Sequence, residues 1–124
     1  MDNNKSGFSV SGRAKSFGHA GRGLVLFLRN THNSWIQIFL MFVALVLGFY
    51  FDISKLEWLV TILASGLVLT AEALNTAIEN DIDLTSPDYH PIARDTKDIS
   101  AAAVLIASIS ALAVGLIIFV PYFM

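Results

Sequence analysis

The chain has 124 residues, 55% of them hydrophobic and only 15% charged, with a net charge of −2 and no cysteine. It is too apolar and too poor in charge for an ordinary soluble domain of that length, and it excludes a disulfide framework or a thiolate zinc site. The slight negative balance gives no general attraction to nucleic acid, so the placement of charge matters more than its sum.

Residues 1–12, rich in Asn, Ser and Gly, read as a flexible tail. Residues 13–29 predict an interfacial amphipathic helix. Lys15, Arg22 and Arg29 recur every seven residues as a basic stripe, and Phe17, Ala20, Leu24 and Leu28 form an apolar one. Gly18, Gly21 and Gly23 weaken that helix by up to about 1 kcal/mol each. The spacing favours a membrane-surface helix with snorkelling cations. Contact between some of these cations and the phosphates of a ligand is the sharper alternative. A cleavable signal peptide does not fit, because the first 29 residues are polar or broken by glycine.

Three transmembrane helices are predicted, at 30–51, 56–83 and 92–124. A bilayer core of about 30 Å needs roughly 20 helical residues. The first span has its apolar core at Trp35–Phe51, and the third contains 26 uncharged residues, Ile99–Met124. The second passes only if Glu72 lies near a boundary. Between the second and third spans, Leu84–Pro91 carries two prolines and turn formers and reads as a loop. The third helix then begins near Ile92 or Ala93, which sets Lys97 and Asp98 about one turn inside it. Further on, Ala103, Ala107, Ala111 and Gly115 recur every four residues, a small-residue stripe that lets helices approach closely in lipid.

Seven of the eight Lys and Arg precede the first span or lie between the second and third; only Lys55 sits in the turn between the first two. With three crossings those seven share one side, which the positive-inside rule makes cytoplasmic. The N-terminus is then inside and the C-terminus outside. The whole chain is expected to be one all-α integral membrane domain, 1–124.

The second span holds the most informative feature. Its uncharged run Trp58–Ala71 continues without a break into Glu72, Asn75, Glu79 and Asp83, at steps of three, four and four. That spacing lines them along one helical face. A carboxylate at the edge of hydrocarbon costs a few kcal/mol unless partnered, and is by default a functional candidate. Glu72 lies fifteen residues after Glu57, roughly 22 Å along the helix, at head-group level, and Glu79 lies about 10 Å beyond, in water or a polar cleft. The depth of Glu72 suits proton abstraction from a lipid hydroxyl. Glu79 suits a divalent cation, since Mg²⁺ is typically held by one or two carboxylates plus substrate phosphates. Arg94, Lys97 and the basic stripe can neutralise phosphate charge. A soluble phosphate donor meeting a lipid acceptor fits this layout, and so does purely structural polar pairing between spans.

Glu72-Ala-Leu-Asn75-Thr-Ala-Ile-Glu79-x-x-x-Asp83, then Tyr89-His90-Pro91, then Ala93-Arg-x-x-Lys97-Asp98-x-x-Ala101-Ala-Ala-Val104-Leu closely resembles the small prokaryotic diacylglycerol kinase family, which includes the undecaprenol kinases. Lys15-Ser16-Phe17-x-x-Ala20-x-x-Gly23 resembles its surface helix, and the likeness runs from about residue 13 to 121. The resemblance implies a homotrimeric lipid kinase that uses Mg-ATP, with sites shared across protomer boundaries. It makes Glu72 the catalytic general base and Glu79 a metal ligand. Asn75 would line the site, Asp83 lie near the nucleotide, Lys97 and Asp98 contact it, and Lys15 be a basic position of the surface helix. The acceptor would be undecaprenol or diacylglycerol. The loop Leu84–Pro91 looks more like the undecaprenol-type members.

One position departs from the pattern. Where the family usually has a glutamate that helps Glu79 hold metal, this chain has Thr31, in Asn30-Thr31-His32-Asn33. Thr31 as a metal ligand offers only a neutral oxygen. Thr31 and Asn33 suffice with more water in the shell, or Asp81 or Asp83 compensates, or activity is lost and the chain is a non-catalytic membrane module. The presence of Glu72, Asn75, Glu79, Lys97 and Asp98 favours retained activity, because phosphoryl transfer depends on positioning and charge neutralisation by several groups. His19, His32 and His90 lack metal-ligand spacing, and Trp35, Trp58 and Tyr122 read as interface anchors.

Overall fold

A computed structural model describes residues 7–30 and 32–124, without the side chains of His32 and Asn33. The described residues form four helices: α1 (Val10–Asn30), α2 (His32–Tyr50), α3 (Lys55–Thr85) and α4 (Pro91–Phe123). α1 starts inside the stretch expected to be a flexible tail. Ser9 explains the early start, because its Oγ accepts the Gly12 N–H at 3.2 Å and satisfies one of the free donors of the first turn.

The α2–α3 connection is short. Asp52 adopts a left-handed conformation, φ 50°, and Ser54 and Glu57 form a reciprocal capping box that starts α3. α4 begins at Pro91, whose missing N–H costs nothing in the first turn. His90 caps it, its Nδ1 accepting the Ile92 N–H at 3.1 Å. That gives this histidine a local structural task.

α3 has 31 residues and α4 has 33, lengths of roughly 46 and 50 Å, well beyond the hydrocarbon thickness. Both are apolar enough to cross a membrane. α2 has 19 residues, near the lower limit, and meets the same test only together with α1, from which Ser34–Tyr50 is bent by 102°. α4 packs along α3 more extensively than α2 does.

The core sits at the end opposite the acid row. Ile53, Ile118 and Phe119 are buried there against Ala44, Leu47, Phe51, Trp58 and Val114. Phe51 stacks on Tyr122 at 5.2 Å between ring centroids, and the Tyr122 hydroxyl donates to Glu57 Oε1 at 2.7 Å. These contacts tie the start of α3 to the end of α4. Elsewhere large apolar side chains such as Ile62, Leu63, Leu67, Leu105 and Ile106 stay exposed, the pattern of a chain whose surroundings are themselves apolar. The small-residue stripe is only partly a packing seam: Ala107 is buried, whereas Ala111 and Gly115 line an open groove.

Gly48 is required by close approach. A Cβ there would lie 2.5 Å from Trp58 Cη2 and 2.8 Å from Cζ2, and Trp58 is itself packed on Phe49. Gly66, in the middle of α3, has open space. Gly48→Ala is therefore expected to destabilise the fold by about 1–3 kcal/mol through overpacking, while Gly66→Ala is neutral or slightly stabilising. Thermal unfolding of the two variants in detergent, side by side, checks the contrast.

Candidate functional site

Helical periodicity turns Glu72, Asn75, Thr76, Glu79 and Asp83 toward one side of α3. Glu72 is 5% exposed. A carboxylate so placed needs hydrogen bonds, and Gln37 of α2 supplies one, its Nε2 donating to Glu72 Oε1 at 2.9 Å. The only strongly polar side chain in the apolar run of α2 thus meets the deepest acid of α3.

One turn further, Asn75 Oδ1 accepts from Ser100 Oγ of α4 at 2.6 Å, and Asn75 Nδ2 donates to Glu79 Oε1 at 3.3 Å. Ser100 is 7% exposed, and its hydroxyl also lies 2.9 Å from the Lys97 carbonyl oxygen. Asn75 therefore couples α4 to the glutamate that leads out of the apolar layer. Glu79 itself is exposed.

Beyond it the α3–α4 turn encloses a cleft of about 250 Å³, lined by Asp83, Asp88, His90, Arg94, Lys97 and Asp98 among others. Lys97 Nζ pairs with Asp83 across the two helices. Arg94 Nε lies 4.0 Å from Asp98 along α4, with both side chains exposed. Exposed pairs of this kind contribute at most about 1 kcal/mol and exchange partners readily, so the cations remain accessible to a competing anion.

The fold thus brings Glu72, Asn75 and Glu79 into one column and Asp83, Lys97 and Asp98 around one cleft. Lys15 does not join them: it lies exposed on α1 with no hydrogen bond or ion pair among the described residues. Thr31, the other candidate metal ligand, lies outside the described residues. Among those described, no three His, Asp or Glu side chains gather as a ready-made metal cage. Two residues of the site have no counterpart in the sequence-based expectation, Gln37 and Ser100. Gln37 had a detectable signal, an amide within an apolar span, since such residues pair with other polar groups. Ser100 had none, because serines also occur at 108 and 110 on the same helix.

A second cavity of about 470 Å³ runs between α2, α3 and α4. Its walls are almost wholly apolar, from Gln37 past Leu40, Ala44, Val68 and Gly115 to Phe119. The amide that holds Glu72 therefore stands on the wall of an apolar groove.

The profile of the prokaryotic diacylglycerol kinase family matches residues 18–119. The chain is 37% identical over 107 residues to the undecaprenol kinase of Bacillus subtilis (strain 168), covering 86% of this chain and 87% of that protein. It is 32% identical over 111 residues to the diacylglycerol kinase of Escherichia coli (strain K12), covering 90% and 89%. It is likewise 32% identical over 111 residues to the diacylglycerol kinase of Helicobacter pylori (strain ATCC 700392 / 26695), covering 84% and 87%.

Ser100→Ala removes the donor to Asn75 and is expected to cost about 1 kcal/mol of stability. In an Asn75→Ala background the same change should cost almost nothing. A double-mutant cycle by thermal unfolding in detergent measures the coupling, and equal losses in both backgrounds would show that the bond carries no energy.

Proposed function

Because the chain belongs to the prokaryotic diacylglycerol kinase family, we propose that it transfers the γ-phosphoryl group of ATP to a lipid hydroxyl at the cytoplasmic face of a bacterial plasma membrane. The observation that carries this proposal is the polar column on α3. A buried carboxylate, Glu72, is bonded to Gln37, which lines an apolar groove, and is followed by Asn75 and the exposed Glu79. An apolar substrate with one reactive hydroxyl and a water-soluble phosphate donor can meet only at such a boundary.

In this mechanism the lipid tail stays in the apolar layer and its hydroxyl is presented to Glu72. Glu72 accepts the hydroxyl proton as the oxygen attacks the γ-phosphorus; the bond to the β–γ bridging oxygen breaks and ADP leaves. Asn75, held by Ser100, positions the reacting phosphate. Lys97 exchanges Asp83 for nucleotide phosphate in the cleft that Asp98 also lines. Lys15 and the basic stripe of α1 add positive charge, with α1 lying along the membrane surface. The exposed carboxylate of Glu79, with the Asn75 amide beside it, fits the protein's share of a Mg²⁺ site completed by phosphates and water. Glu79 would hold the ion together with Thr31. When bound, Mg²⁺ supplies charge neutralisation for the transferred group.

The charge asymmetry of the chain supports an N-terminus inside and a C-terminus outside. The family resemblance supports a homotrimer. Residues 84–91 and the likeness to an undecaprenol kinase favour undecaprenol over diacylglycerol as acceptor. A second reading, a catalytically impaired member acting as a membrane module, rests on the single substitution at Thr31.

Glu72→Gln is expected to abolish lipid phosphorylation while Mg-ATP binding persists; extraction of lipid after incubation with γ-labelled ATP checks it, and full turnover would refute the base assignment. Wild-type protein offered undecaprenol and diacylglycerol in parallel should label undecaprenol with the higher kcat/KM. No labelled product from any acceptor would favour the module. Thr31→Glu should lower the Mg²⁺ concentration needed for half-maximal activity, and an unchanged titration would show that position 31 takes no part in holding the ion.

A further inference from the structure

We propose that Gln37 is a positioning residue for the reaction, fixing the plane of the Glu72 carboxylate so that proton abstraction from the lipid hydroxyl is aligned. The proposal rests on the reading of Glu72 as base. The last torsion of a glutamate is broad and roughly two-fold, so burial alone does not fix which way the oxygens face. The Gln37 Nε2 donation at 2.9 Å does. It reaches Glu72 from a different helix, across 35 positions of sequence, and the amide carries no charge that would compete for the substrate's phosphate.

The other half of the amide shows what the residue is placed for. Gln37 Oε1 is buried and has no hydrogen-bond partner among the described residues. A buried carbonyl oxygen left unpaired is costly, and an apolar residue of similar volume avoids that cost. The neighbours Ile36, Ile38 and Leu40 show that the rest of the segment is apolar. A residue serving only to pack α2 would have both ends of its amide satisfied, or no amide. Gln37 keeps one satisfied end, the one on Glu72. The assignment of Nε2 rather than Oε1 to that contact follows from the carboxylate, which can only accept when ionised.

The test compares Gln37→Leu with wild type in detergent–lipid micelles, reading kcat, KM for Mg-ATP and thermal stability. Loss of alignment at the reacting group should lower kcat by about tenfold or more, with KM for Mg-ATP within about twofold of wild type, since the nucleotide cleft lies elsewhere. Gln37→Met serves if the leucine variant does not fold. A double-mutant cycle separates positioning from packing. Glu72→Asp draws the carboxylate back by one methylene and already breaks the bond, so Gln37→Leu should lower kcat no further in that background. Wild-type kcat in Gln37→Leu while Glu72→Gln is inactive would overturn the role of Gln37 and leave the base intact. Losses that multiply in the Glu72→Asp background would overturn it as well. Full activity of Glu72→Gln would remove the base itself, and the proposal with it.

Discussion

The site depends on one carboxylate that must stay buried. Glu72 is buried, bonded to Gln37 of α2, at the point where α3 leaves its uncharged run. Burying it in hydrocarbon without partners would cost several kcal/mol. The bond from Gln37 relieves that cost, and it also joins α2 to the rest of the bundle on the side away from the aromatic core. The far end of the molecule is held by hydrophobic contact, with Ile53, Ile118 and Phe119 buried together and Tyr122 bonded to Glu57. The near end is held by polar contact. An apolar groove lies between the two.

From Glu72 the polar groups become steadily more exposed. Asn75 is half-buried, Glu79 is exposed, and Asp83 reaches Lys97 across the turn to α4. Under the proposed function, that gradient would let one helix serve a lipid hydroxyl at its buried end and a nucleotide at its exposed end. α3 and α4, at 31 and 33 residues, are about ten residues longer than a bilayer requires.

The helices and the acid row were legible in the sequence because each rests on strong periodicity or composition. Glu72, Asn75, Glu79 and Asp83 share a face at helical spacing, and 26 uncharged residues leave few alternatives to a span. The start of α1 was not legible, because it is set by one serine cap within a stretch of loop-forming composition. Nor were the partners of the site. Gln37 lies 35 positions from Glu72, and Ser100 lies 25 from Asn75. Periodicity assigns a residue to a face of its own helix and does not say which residue of another helix will meet it. The small-residue stripe shows the same limit, since its spacing is as compatible with lining a groove, as at Ala111 and Gly115, as with tight packing.

The division of the acid row by membrane depth is the claim on which the mechanism stands, and the absence of cysteine makes it directly measurable. Single cysteines placed at exposed α3 positions Leu63, Leu67, Leu74, Asn80 and Leu84 can carry nitroxide labels in reconstituted bilayers. Collision with oxygen and with a water-soluble nickel chelate then reports depth. Oxygen should dominate at 63 and 67, the chelate at 80 and 84, with the crossover between 72 and 79. A crossover before 67, or chelate access withheld as far as 84, would put Glu72 and Glu79 in the same phase and contradict the account.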